Sequence, residues 1–150
     1  MFSKTMEYAL RASVHLALHK GEAQTAQQIA ESTQVPQGYL SKILQLLAKS
    51  ELVTSQRGLG GGFVLRRPPH EISIFDVAQA VDPLPRIHTC PLGLDSHAQR
   101  LCSLHARMDQ AYLNVEMVFR QSTLQEMLDE PNPSRPLCHN RLLAQESISV

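Results

Sequence analysis

The chain has no tryptophan, only 5% aromatic residues and only three cysteines in 150 residues, and its 14 basic side chains are matched by 14 acidic ones. Each shortage removes a class of explanation. An odd, small number of cysteines without an export signal argues against a disulfide framework and leaves metal binding, redox chemistry or plain burial. The longest apolar stretch near the start, Val14-His15-Leu16-Ala17-Leu18, is too short for a secretory signal or a membrane span, so a cytoplasmic protein with no membrane partner is expected. There is no Cys-x-x-Cys, no dinucleotide fingerprint and no nucleophile elbow.

Glycine is also scarce, and four of its seven copies fall in Arg57-Gly58-Leu59-Gly60-Gly61-Gly62-Phe63. A phosphate cradle would need a strand before this loop and a helix after it. Apolar runs lie on both sides instead, Leu52-Val53-Thr54 and Phe63-Val64-Leu65, which predicts the tip of a β-hairpin. Zero net charge hides a polarity along the chain: residues 1–70 carry eight basic against four acidic residues, and the remainder six against ten. That division suits a nucleic-acid reader joined to a part that need not meet phosphate.

Ahead of the hairpin the periodicity predicts three helices. Met6, Leu10, Val14 and Leu18 form a stripe over 4–19, closed by Gly21. Thr25 with Gln28 reads as a capping box opening a short helix to Ser32, with Ile29 and Ala30 facing inward. Pro36 opens a third helix whose stripe is Leu40, Ile43, Leu44 and Leu47. Two short helices followed by a hairpin predict a mainly α fold, a winged helix-turn-helix over 1–82. The residues expected to meet DNA are Gln37, Tyr39, Ser41, Lys42 and Gln45 on the outer arc of the third helix, Arg57 at the wing, and the backbone of Gly58, Gly60 and Gly61.

Beyond the wing, Ser73 and Asp76 form a second capping box, with Ile74, Val77, Ala78 and Val81 as the stripe of a fourth helix that Pro83 and Pro85 stop. A loop over 83–97 contains Cys90. A long helix is expected from about 98 to 121, with Leu101, Leu104, Met108, Ala111, Val115 and Val118 at spacings of 3, 4, 3, 4, 3. Such a seam predicts lengthwise packing against a partner helix. Thr123 and Glu126 cap a last short helix, so 98–130 reads as a dimerisation unit, and 131–150 as a mobile tail in which Cys138 plays no part. Cys102 and His105 are three apart on the expected helix and share a face, with Cys90 and His97 nearby. Thiolate with imidazole suits zinc or an iron-sulfur cluster, although the Cys-x11-Cys-x2-His spacing is not a zinc-finger pattern. A buried thiol beside a polar neighbour explains the same residues without metal.

Together these motifs resemble the Rrf-two family of bacterial transcription regulators over residues 1 to about 130. The similarity rests on Glu7-Tyr8-Ala9-Leu10-Arg11, on Tyr39-Leu40, on Val53-Thr54-Ser55-Gln56-Arg57-Gly58 with Gly61-Gly62-Phe63, and on Ile74-Phe75-Asp76-Val77 with Ala80-Val81-Asp82. The resemblance implies a homodimer joined through the long helix, bound to a roughly palindromic double-stranded operator, usually as a repressor. It also implies, in members that carry one, a 2Fe-2S iron-sulfur cluster on cysteines at positions matching 90, 96 and 102. The fourth ligand would be a histidine matching His105 or an acidic residue of the partner's first helix matching Glu7. Position 96 is serine here. Cys90, Cys102, His105 and either Glu7 or His97 are then the implied ligands, and a cluster, zinc or no metal all stay open. Two other readings remain: a metal-free regulator responding to a small molecule or a protein, and a thiol redox enzyme using Cys90 and Cys102.

Overall fold

The computed structural model describes residues 2–134 and 136–137, so most of the expected tail, with Cys138, lies outside the described residues. The chain runs α1 (Lys4–Leu18), α2 (Ala26–Thr33), α3 (Gln37–Lys49), β1 (Val53–Gln56), β2 (Gly62–Leu65), α4 (Ile74–Val81), α5 (Ser103–Gln121) and α6 (Leu124–Asp129). It is a mainly α winged helix-turn-helix, and the two strands pair antiparallel in the register Val53↔Leu65 to Gln56↔Gly62. The three capping boxes form as the sequence indicates: the hydroxyls of Thr25, Ser73 and Thr123 accept from the amides of Gln28, Asp76 and Glu126, whose side chains reach back to the cap amides. Each satisfies two orphan donors at a helix start and fixes where that helix begins.

The stripe of α3 is buried as expected, with Leu40, Ile43, Leu44 and Leu47 in one core with Ile29, Val35, Leu52, Val53, Ile72, Val77 and Leu124. α1 departs from its expected single stripe. It is buried at Met6, Ala9 and every position from Ala12 to Ala17, whereas Leu10 and Leu18 are only half-buried. The reason is that α1 lies at the centre and packs against α2, α3, α4, α6 and β2. A pattern read from large apolar residues overlooks alanines, Ser13 and His15, which are small or paired enough to be covered on the other sides. In α4, Phe75 is buried and Ile74 and Val81 only half so, a rotation from the expected stripe that turns the Phe75 ring toward α5.

The long helix begins at Ser103, about five residues later than expected. A 3-10 turn over Asp95–His97 precedes it, and Cys102 is its N-cap, extended at φ −64° and ψ 164°. Residues 98–100 are exposed, so no buried face holds them helical, and short helices in water depend on such a face. Cys102 therefore stands at the helix mouth rather than on its side, and Leu101 drops out of the helical seam.

The wing is tied to the helices by a two-way backbone bond: Gln24 N–H donates to Phe63 O at 2.9 Å and Phe63 N–H to Gln24 O at 2.7 Å. The approach is close enough to require glycine next door. A Cβ on Gly62, at φ +148°, would meet Gln24 C and O at 2.5 Å and Thr25 N at 2.9 Å. Gly62→Ala is expected to destabilise the fold by about 1–3 kcal/mol through backbone strain and overpacking. Urea unfolding checks this; a midpoint equal to the wild type would remove the argument.

Candidate DNA-reading surface and sensor loop

The side chains expected to contact DNA are all exposed. Gln37, Tyr39, Ser41, Lys42 and Gln45 are all exposed on α3, opposite its buried stripe, and Arg57 with Gly58 and Gly60 are exposed at the wing. Gly61 N–H donates to Gly58 O at 3.0 Å, closing the tip, and a side chain at Gly61 would strike Gln56 O at 2.5 Å. Leu59 stands fully exposed at the apex. Of the basic residues in the head, Arg11, Arg66 and Arg67 face Glu7, Glu51 and Asp76. Lys42 and Arg57 make no ion pair among the described residues, which leaves their charge available to phosphate.

Two positioning residues were not singled out from the sequence as such. Tyr8 on α1 meets Tyr39 edge to face, with ring centroids 5.9 Å apart, and Arg11 sits 5.6 Å from the Tyr8 ring. Arg11 also donates from Nη1 to Thr33 O at 3.4 Å, at the C-terminal end of α2, while its Nη2 pairs with Glu7. The segment Glu7–Arg11 thus fixes α2 and the start of α3 against α1. The i, i+4 spacing of Glu7 and Arg11 was the available signal.

The expected ligands do not converge. Cys90 Sγ lies 3.6 Å from His97 Nδ1, and Cys102 Sγ lies 3.4 Å from His105 Nδ1. Glu7, expected to act from the partner's first helix, pairs with Arg11 within its own chain. Among the described residues no three Cys, His, Asp or Glu side chains stand as a group able to hold one metal ion. Two thiols and two imidazoles have the right donor chemistry for zinc or an iron-sulfur cluster, but as two separate pairs they do not fit a four-ligand site. The Cys90 thiol is pulled below its usual pKa, first by the hydrogen bond to His97 and then by the amides of Leu94 and Leu92.

The loop between α4 and α5 is held by charge. Arg86 grips Asp109 with both ends of its fork, Nε to Oδ1 and Nη2 to Oδ2, each at 2.8 Å, and Ile87 N–H donates to Asp109 Oδ1 at 2.8 Å. Arg86 Nη1 is 3.6 Å from Glu116, which also binds Arg120 at 2.8 Å, and Arg120 lies 3.6 Å over the Phe75 ring of α4. A continuous chain of charged contacts therefore runs from the loop, across α5, to the DNA-reading head. The Asp109, Glu116 and Phe119 face of α5 is half-buried against its own chain, while Leu104, Met108 and Val118 of the seam are 63%, 43% and 59% exposed.

Comparison with known proteins agrees with this architecture. Residues 2–130 match the Rrf2 family, described as an iron-dependent transcriptional regulator. A protein of Aquifex aeolicus named as an HTH-type transcriptional regulator is 26% identical over 86% of this chain and 92% of its own length. An rrf2-like HTH-type regulator of Rhodobacter capsulatus is 29% identical over 91% and 98%. Among solved structures, the global cysteine regulator CymR of B. subtilis superposes with a TM-score of 0.72 at 22% identity, over 88% of this chain and 98% of that one. IscR of T. potens superposes with a TM-score of 0.72 at 26% identity, over 88% of both.

The Arg86 guanidinium, and next the Ile87 amide, hold the Asp109 carboxyl well below the usual carboxylate range. A carboxylate with a lower pKa folded than unfolded stabilises the fold fully above its unfolded value, near about 4, and loses that contribution as pH falls toward the folded one. Asp109→Asn is therefore expected to lower stability at pH 7 and to flatten the fall in stability below about pH 4. Denaturant unfolding at pH 7 and pH 3 measures both; an unchanged difference between the two pH values would show that the pair carries no such linkage.

Proposed function

The chain belongs to the Rrf2 family of transcriptional regulators, and from that premise we propose that it works as a homodimeric repressor whose α3 reads the major groove of an operator while the wing contacts the adjacent backbone. The observation that carries this reading is the exposed arc of α3, with Gln37, Tyr39, Ser41, Lys42 and Gln45, together with an exposed glycine wing bearing Arg57. Glutamine and lysine are the side chains that address adenine and guanine edges in the major groove. Arg57 suits the negative potential of the minor groove, and the amides of Gly58, Gly60 and Gly61 suit phosphate oxygens. The family is one of regulators, so the thiol redox enzyme is set aside.

Dimerisation rests on the open seam of α5. Leu104, Met108, Ala111 and Val118 are exposed and Val115 half-buried along one line, the pattern a second copy of the helix would cover. A two-fold axis there would set the two α3 helices on the order of 34 Å apart, one turn of DNA. The input is the loop over 83–102. Its tether, Arg86 on Asp109, bears on the helix that joins the copies, so a change in the loop changes the spacing of the heads without touching a base-contacting residue.

Iron-sulfur, redox or nitric-oxide sensing is the finer reading the resemblance implies, with Cys90, Cys102, His105 and Glu7 or His97 as ligands of a 2Fe-2S cluster or of zinc. Because those residues lie in separate pairs, no step of the mechanism is derived through a metal. A metal-free input has its own observation in favour: Phe2, Met6, Pro83, Leu84, Pro85, Tyr112 and Val115 line a largely apolar cleft of about 370 Å³ where the loop leaves α4, of a size to take a small molecule. Iron and sulfide content of protein purified without oxygen, with Cys90→Ala and Cys102→Ala as controls, separates the two inputs.

Lys42→Ala with Arg57→Ala is expected to abolish sequence-specific binding at physiological salt and to reduce the slope of log K against log salt by about 0.9 for each phosphate that the two side chains neutralise. Fluorescence anisotropy on an operator selected from genomic fragments reads both quantities. Unchanged affinity and slope would rule out this surface as the reader.

A further inference from the structure

The C-terminal half of α1 carries a group of side chains that neither the DNA-reading surface nor the sensor loop uses. His15 is 1% exposed, and its Nε2 lies 3.0 Å from Gln24 Oε1. An amide oxygen only accepts, so Nε2 carries the proton and Nδ1 is left with a lone pair. That atom is buried and has no hydrogen-bond partner among the described residues. One turn on, the His19 ring lies 4.5 Å from the His15 ring, centroid to centroid, and His19 Nδ1 is 4.0 Å from Glu22 Oε2. His15, His19 and Glu22 line one cleft of about 290 Å³, with Gln24, Gln28, Glu31 and Ser32 as its other walls.

We propose that this cleft binds a divalent first-row transition ion of the zinc, cobalt or nickel class, held by His15 Nδ1, His19 and Glu22. Three observations lead there. The imidazole and carboxylate donors are those borderline ions prefer, whereas magnesium and calcium take all-oxygen sets. A ligating histidine usually donates its other N–H to an oxygen that fixes its tautomer, which is what Gln24 does for His15. Third, a buried acceptor without a partner is costly, and an ion would satisfy it. The donors are not yet gathered as they stand. The Glu22 side chain is 80% exposed, so rotation about its own bonds can bring its carboxylate in. Glu31 adds negative charge at the rim.

The site would bear on DNA reading, because Gln24 is also the residue whose backbone binds Phe63 of the wing in both directions. Fixing Gln24 through His15 stiffens the wing at its root.

Cobalt(II) titrated into the reduced full-length protein tests this. The expected result is one ion per chain with the visible absorption of a nitrogen and oxygen site and no thiolate charge-transfer band, unchanged in Cys90→Ala/Cys102→Ala. His19→Ala should abolish it and Glu22→Gln weaken it by about tenfold or more. Should His19→Ala fail to fold by circular dichroism, Glu22→Gln, at an exposed position, still decides. No binding, binding indifferent to both substitutions, or cobalt absorption lost altogether in Cys90→Ala/Cys102→Ala would overturn the proposal.

Discussion

α1 is covered on almost every side because Ala9, Ala12 and Ala17 present so little side chain that neighbouring elements can close on it. α2, α3, α4, α6 and β2 all pack against this one helix, so each is positioned relative to it before it is positioned relative to any other. A larger residue at any of the three would push an element outward, since protein cores have no spare volume to absorb it. The DNA-reading geometry inherits this constraint through particular contacts. Tyr8 sets the face of Tyr39, Arg11 binds the end of α2, and the turn after α1 delivers Gln24 to the wing. α3 and the wing are thus held to a common reference.

The two ends of the molecule are held by different forces. The head is apolar and close-packed, with Ile29, Leu40, Ile72 and Leu124 fully buried. The loop and α5 are joined to it by Arg86, Asp109, Glu116 and Arg120, whose ion pairs remain partly exposed. Ion pairs in contact with water are weaker than buried apolar contacts and can exchange partners without opening a core. Such a joint rearranges at less cost than the close-packed head.

How much could be read from the chain follows from the range of each interaction. Helix starts at Thr25, Ser73 and Thr123 were legible because a capping box spans four residues, and the stripe of α3 because its period repeats within thirteen. The hairpin was legible from two apolar runs around a glycine cluster. The burial of His15 and Ser13 was not, because it depends on elements contributed from the rest of the chain. Nor was the Arg86–Asp109 pair, whose partners are 23 positions apart and carry no local pattern. The late start of α5 escaped because its heptad spacing continues through Leu101 into residues that have nothing to pack on.

The cysteines show the same limit most clearly. On an assumed helix from 98, Cys102 and His105 share a face and Cys90 approaches as a third ligand. With Cys102 at the N-cap, its thiol makes no cap bond and lies 3.4 Å from His105, while Cys90 lies 3.6 Å from His97 of the 3-10 turn. Among the described residues the single expected site is thus two pairs. The thiols lie on the span between α4 and α5 that Arg86 fastens to Asp109 and the apolar cleft adjoins it, while the far end of α5 is held to the core through α6, whose Leu124 is fully buried.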